Sequence, residues 1–330
     1  MMNPFSQYIK AIGKGQRAGR YLTQSEAHDA FDQLLTGWAT PEQAGAFLML
    51  LRVREESVEE LAGFVSACRQ HLSDDYSHIN ATVDMGCYSG KRRHLPWFLL
   101  AVKCMAEQGE RIFLHGTTEP ESKRLYLHDV FTALSLPISQ DAQHAKSMLD
   151  KQGFCYVNLA DCHPQLHQLI ALRTLFGLRS CANTLARMLN PSQSPISYHG
   201  VFHREFDERH IHVAQLLNDH NVSCIRGEGG EVEVNPEREF IQHIARNGES
   251  QAVSFPILLE QWQVKPRELN PQALVDVWTE TTHDAYAHRA VIGTLATYLV
   301  QSNNIDVTEA LAQAKNIWLA RNRDFYASIN

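Results

Sequence analysis

The feature that most narrows the possible folds is a change of period near Ser73. Before it, apolar residues recur at helical spacing: Phe31, Leu34 and Leu35; Phe47, Leu48 and Leu51; Val58, Leu61, Phe64 and Val65. Thr23-x-x-Glu26 and Ser57-x-x-Glu60 read as capping boxes, and Thr40-Pro41 as an N-cap followed by proline at the first helical position. After it, short apolar runs at 81–86, 111–115, 154–159, 196–202 and 222–226 alternate with helical stretches. Strand–helix–strand order with crossovers of that length requires a largely parallel sheet covered on both faces. The expected fold class is therefore α/β, with a small all-helical domain beside a larger, mostly parallel-sheet α/β domain. The helical domain spans 1–72, with helices from about 164–190 packing on it, and the α/β domain spans 73–330. The stretch 235–265 reads as a polar loop region, and helices over about 271–282, 285–301 and 307–325 finish the covering layer.

A chain of 330 residues, 44% of them hydrophobic, can bury a full core. The runs 46–51 and 95–102 are the longest apolar stretches and are too short to cross a bilayer, so a cytoplasmic protein without a membrane partner is expected. Cys68, Cys87, Cys104, Cys155, Cys162, Cys181 and Cys224 show no CxxC spacing, which suits reduced core thiols better than a zinc site.

Net charge is −7, which by itself argues against a polyanionic partner. The distribution of the acids argues the other way. Residues 1–25 carry Lys10, Lys14, Arg17 and Arg20, residues 85–106 carry Lys91, Arg92, Arg93 and Lys103, and residues 162–204 carry Arg173, Arg179, Arg187 and Arg204, with no acid in any of the three. Folding could gather these cations on one face.

Candidate sites follow the strands. Gly86-Cys87-Tyr88-Ser89-Gly90-Lys91-Arg92-Arg93 joins a strand to a helix, where backbone N–H groups point at an anion; Gly86, Ser89 and Gly90 are candidate phosphate contacts. Tyr88 could stack on a base, and so could Trp97, which fits the core better. The next strand ends in His115-Gly116, a second candidate phosphate contact, followed by Lys123-Arg124. In Gly227-Glu228-Gly229-Gly230-Glu231-Val232-Glu233, carboxylates near glycines could hold Mg²⁺, but the alternation of Glu231 and Glu233 fits a solvated strand edge better. His199 with His203, and His210 with His212, lack a cysteine or glutamate at zinc-ligand spacing.

Taken in order, these motifs resemble those of anthranilate phosphoribosyltransferase and the related pyrimidine nucleoside phosphorylases. That family's GTGGD loop, which binds the diphosphate of phosphoribosyl pyrophosphate, matches Gly86-Cys87-Tyr88-Ser89-Gly90, without the middle glycines or the aspartate. Its KHGN motif matches Leu114-His115-Gly116-Thr117, without the lysine and asparagine. Its VRKxLxxRTxFNxLGPLxNP segment matches the stretch from Leu172 to Pro191, which places Arg173 at the anthranilate-contacting arginine. Its Mg²⁺-binding Asp-Glu pair aligns with Glu231-Val232. Ile12-Gly13-Lys14-Gly15, Gly90-Lys91-Arg92-Arg93, Gly229-Gly230-Glu231-Val232 and Asn235-Pro236 are similar to a bacterial paralogue branch that binds nucleic acid without sequence preference as a homodimer.

The resemblance implies a degenerate transferase site with no catalytic residue and no cofactor, and a homodimer formed through the helical domain. The implied partner is nucleic acid, single-stranded DNA or RNA, held by Lys10, Lys14, Arg17, Arg20, Lys91, Arg92, Arg93, Lys123, Arg124, Arg173, Arg179 and Arg187. The alternative is a working Mg²⁺-dependent transferase using phosphoribosyl pyrophosphate, with His115 and Lys91 as catalytic residues and Glu231 on the metal.

Overall fold

The computed structural model describes residues 4–15, 18–119 and 122–327. It opens with helices α1 (Ser6–Gly13), α2 (Gln24–Leu35), α3 (Pro41–Arg54) and α4 (Val58–Gln70). The capping boxes at Thr23–Glu26 and Ser57–Glu60 form, and Thr40 makes a third with Gln43. Glu60 does more than cap: its buried carboxylate also receives Arg54 at 2.6 Å and the Leu22 N–H at 2.8 Å, fixing the turn before α2 to α4.

The α/β part follows as β1 (Val83–Cys87), α5 (Phe98–Glu107), β2 (Ile112–Gly116), α6 (Leu127–Ala133), α7 (Ala142–Gln152) and β3 (Phe154–Asn158). Short helices α8 (Leu159–Cys162), α9 (Pro164–Ala171), α10 (Arg173–Phe176) and α11 (Ala182–Leu185) precede β4 (Ile196–Val201), α12 (Phe206–Leu216) and β5 (Asn221–Arg226). The chain ends with β6 (Phe240–Arg246), β7 (Glu249–Phe255), α13 (Gln272–Trp278), α14 (Ala285–Asn303) and α15 (Val307–Ala320). The sheet order is β3-β2-β1-β4-β5-β6-β7, with the first five strands parallel and the last two antiparallel.

The β6–β7 hairpin corrects the loop expected over 235–265. Its outer strand, β7, lies at the sheet edge with most side chains in solvent, so nothing forces the apolar alternation by which a strand is recognised.

Alternate strand residues feed two cores. Val83, Met85, Ile112 and Leu114 pack under α5, α13, α14 and α15; Phe113, Cys155 and Val157 pack against α2, α4, α9 and α11. The helical bundle and the sheet therefore share one continuous interior. All seven cysteines are buried free thiols, and among the described residues no helix is long and apolar enough to cross a membrane.

His163 joins the bundle to α9. Its Nδ1 accepts the Leu166 N–H at 3.3 Å, capping α9, while its Nε2–H donates to the Cys68 carbonyl at 3.0 Å. Accepting at Nδ1 needs the neutral ring, and burial lowers its pKa to about 4. A depressed histidine pKa contributes stability that is present above the unfolded value near 6.5 and is lost as pH falls towards 4. Between pH 7 and pH 5 this one residue should remove about 2 kcal/mol, and His163→Gln should flatten that part of a urea-denaturation pH profile. An unchanged profile would show that His163 does not titrate on unfolding.

Candidate functional site

β1 lies between β2 and β4, so the crossovers leave it in opposite directions and the loops after β1 and β4 diverge. A crevice opens at the carboxyl ends of the strands, the place where ligands gather in open α/β sheets. Here it is a cleft of about 290 Å³ between the β1–α5 loop, the β4–α12 loop and the helical unit, lined by Arg52, Arg124, Arg179 and Arg187 together with Ser89, Asn183, His203 and His210.

The cations influence one another. Burial, then Arg179 and Arg92, lowers the Arg124 pKa, and burial, followed more weakly by Arg179, lowers that of Arg187 despite the opposing pull of Glu231. Arg92, Arg124, Arg179 and Arg187 thus form one strip. An isolated antiparallel bridge between Lys91 and Leu125 helps to build it, running Arg92-Arg93 alongside Lys123-Arg124.

The chain's own carboxylates occupy the neighbouring anion positions. Glu231 Oε1 accepts the backbone N–H groups of Ser89 and Gly90 at 2.8 and 2.6 Å, the donors a bound phosphate would need. Lys91 Nζ bonds Glu233 at 2.6 Å and the Glu228 carbonyl at 3.1 Å, and Glu233 also accepts the Phe98 N–H at 2.9 Å. Across the cleft, buried Glu119 accepts from Arg173, Arg179, Asn183 and the Tyr126 hydroxyl. Burial opposes its ionisation, but Arg179, with help from Tyr126 and Arg173, holds the carboxyl below its usual range.

Several expectations are corrected by this geometry. Lys91 is 1% exposed and neutralised by Glu233, so it neither meets a polyanion nor acts as a catalyst. Glu231 and Glu233 are buried plugs for loop and lysine, where a solvated strand edge was expected. His115 is wholly buried between the Tyr88 hydroxyl at 2.6 Å and Asp84 at 3.2 Å, away from any substrate or phosphate. Tyr88 is likewise wholly buried and cannot stack on a base; Trp97 is in the core. Gly86 and Gly116 serve packing: a Cβ on Gly116 would sit 2.5 Å from the Cys87 carbonyl oxygen, and one on Gly86 3.0 Å from Arg187 Cα. Ser89 and Gly90 line the loop with their N–H groups already engaged.

Among the cationic candidates, Arg173 and Arg179 are paired with Glu119, Arg20 is paired with Glu26 at 2.6 Å, and Arg187 is buried. Lys103 lies inside, against Phe154, Trp278 and Phe325. Lys10, Lys14, Arg92, Arg93 and Lys123 are exposed and Arg124 is half-buried; Arg17 lies outside the described residues. The three acid-free windows therefore do not merge into one cationic face.

Arg52 and Glu119 were not anticipated, and His203 and His210 were weighed only as zinc ligands. Arg187, expected on the surface, had a visible sign of its different role: it stands where the quoted family segment has proline.

Residues 6–72 match the helical bundle domain of the glycosyl transferase family. Anthranilate phosphoribosyltransferase of Methylobacterium radiotolerans is 31% identical over 229 residues, covering 69% of this chain and 65% of that protein. The enzyme of Methylorubrum extorquens is 27% identical over 95% of this chain and 94% of its own length. The crystal structure of anthranilate phosphoribosyltransferase from Thermus thermophilus superposes with a TM-score of 0.76 at 19% identity, covering 96% of this chain and 94% of that one. The chain is similar to anthranilate phosphoribosyltransferases along most of its length and has their fold.

Within the superfamily frame, Mg²⁺ does not fit the residues present. One Glu231 oxygen is engaged by backbone N–H groups, Glu233 by Lys91, and Glu228 by Asn235 at 2.9 Å. No group of three metal-ligating side chains occurs among the described residues.

The assignment of Lys91 to the core has a measurable consequence. Lys91→Met strands a buried Glu233 charge and should destabilise the protein by about 3–5 kcal/mol, whereas Lys91→Met with Glu233→Leu should recover most of the loss. Replacing a surface lysine would instead change the unfolding free energy from urea denaturation by less than about 0.5 kcal/mol.

Proposed function

We propose that this phosphoribosyltransferase-fold protein binds the phosphate backbone of nucleic acid, single-stranded and without sequence preference, at the cationic mouth of the cleft. The observation that carries the proposal is the Lys91–Leu125 bridge, which sets Arg92-Arg93 beside Lys123-Arg124 at the cleft rim. Arg92, Arg93 and Lys123 are exposed and make no ion pair or hydrogen bond among the described residues. Free cations so placed release counterions on meeting a polyphosphate, which supplies affinity and orientation but no base readout.

The reaction of the relatives is poorly served by the same geometry. A diphosphate leaving group needs stabilisation where its charge develops. Glu231 Oε1 holds the loop donors and Glu119 holds Arg173. A homodimer is supported by a groove of about 440 Å³ flanked by Ile12, Tyr21, Leu50 and Val53 on α1, α3 and the loop after α1, where Val53 is exposed.

A second reading, Mg²⁺-dependent transfer from phosphoribosyl pyrophosphate, is favoured by the names of the sequence relatives and by a cleft at the switch point of the sheet. One pair of experiments separates the two. Fluorescence anisotropy with a labelled single strand should give a log–log salt slope of about −3, as for about four phosphate contacts. The triple change Arg92→Ala, Arg93→Ala and Lys123→Ala should weaken binding equally for all sequences and flatten the slope. Absence of binding at low salt, together with Mg²⁺-dependent consumption of phosphoribosyl pyrophosphate in the presence of anthranilate, would reverse the assignment.

A further inference from the structure

Phe202 is the first residue past β4, and it is 67% exposed although the preceding Val201 is buried. Single exposed apolar side chains are common, but this one is braced. Its ring meets His203 edge to face at 5.3 Å, His203 lies 6.1 Å from Phe206, and the Arg209 guanidinium covers Phe206 at 4.9 Å. With two thirds of the residue in solvent, at least one face of the Phe202 ring is open. The other exposed aromatics among the described residues are Tyr21, Trp38 and Trp262, and none of them lines the cleft. Arg54 already lies over Tyr21 at 4.2 Å and Lys265 over Trp262 at 5.9 Å.

Phe202 stands against the basic loop. A Cβ on Gly230, whose φ is +90°, would lie 2.6 Å from Ser89 Oγ and 3.2 Å from Phe202 Cβ, so only a glycine lets the loop after β5 pass between them. The Ser89 and Gly90 carbonyls accept Arg124, and Lys123, Arg92 and Arg93 beside it are exposed. Arg52 and Arg124 line the same mouth as Phe202, and Arg204 is exposed two residues further on. Cations on a rim attract any polyanion. An open apolar ring among them adds nothing for inorganic polyphosphate, or for a duplex whose base faces already cover one another, but it adds affinity for a base free to stack. We infer that Phe202, braced by His203 and Phe206, is a base-stacking platform on the rim and the side chain that favours unpaired nucleotides over duplex.

The inference rests on the proposed nucleic-acid binding and adds a contact that phosphate attraction alone lacks. The test is anisotropy with three ligands of equal phosphate count: an oligothymidylate strand, an abasic strand and a duplex. Stacking of one base on an aromatic ring is worth about 1–3 kcal/mol, so the thymidylate strand should bind about tenfold tighter than the abasic one, equivalent to about 1.4 kcal/mol. Phe202→Ala should bring the thymidylate strand to the abasic level with the salt slope unchanged, and should lower the ratio of thymidylate to duplex affinity about tenfold. Phe202→Trp should restore both ratios, with fluorescence quenching on binding beyond that of the wild type.

The triple change at Arg92, Arg93 and Lys123 should weaken the thymidylate and abasic strands alike and leave their ratio as it is, which separates the ring from the cations. If the wild type binds the two strands equally, phosphate attraction stands and this inference falls. A Phe202→Ala protein that keeps the preference also overturns it, and a changed sedimentation coefficient in that protein would assign the ring to contact with a second copy of the chain. If no strand binds even at low salt, the nucleic-acid proposal itself falls and the stacking role falls with it.

Discussion

The arrangement of the cleft depends on two carboxylates, two residues apart on the loop after β5, that hold the β1–α5 loop from within. Glu231 takes the Ser89 and Gly90 N–H groups, and Glu233 takes Lys91 and the Phe98 N–H at the start of α5. The loop after β1 is thereby fastened to the loop after β5, across β4. Backbone donors that would otherwise need an external anion are satisfied by the chain itself, so the loop is ordered without ligand. Its fixed position lets Arg124 donate to the Ser89 and Gly90 carbonyls, and that contact in turn sets the basic stretch 123–124 beside 92–93.

A third carboxylate plays the matching part on the helical side. Glu119 gathers Arg173, Arg179 and Asn183 from α10, α11 and the turn between them, and so ties the β2–α6 loop to the unit that packs on the bundle. Two internal acids thus stand at positions where the family resemblance puts a diphosphate and a carboxylic acceptor. An external ligand at either position would have to displace a buried, hydrogen-bonded carboxylate. In the cleft between them Arg187 is held by Ser89 and the Asn183 carbonyl and feels the charge of Glu231.

Much of the fold was legible because local signals and tertiary structure agree. Thr23, Thr40 and Ser57 cap the helices their sequence context announces, and the five parallel strands fall on the apolar runs. β7 was not legible, since an edge strand can be polar on nearly every residue. The site was legible in place but not in detail. The loop after β1 was found because a strand-to-helix turn is an anion position in any parallel sheet, whereas the pairing of Lys91 with Glu233, 142 residues away, leaves no local trace. Charged residues read from sequence default to solvent; Lys91, Glu231 and Arg187 depart from that default because each meets a partner or a cavity that only tertiary structure creates.

Catalysis and anion binding place different demands on such a frame. Catalysis requires donors aimed at charge that develops on the leaving group, with a tolerance of a fraction of an ångström, and one misplaced carboxylate removes them. Phosphate attraction requires only cations near an accessible rim, and it survives considerable rearrangement behind them. The crevice at the β1–β4 switch point is fixed by strand order alone, so it persists whatever side chains fill it. Arg187 stands against Gly86, where no side chain intervenes, at the place where the resembling family segment has proline.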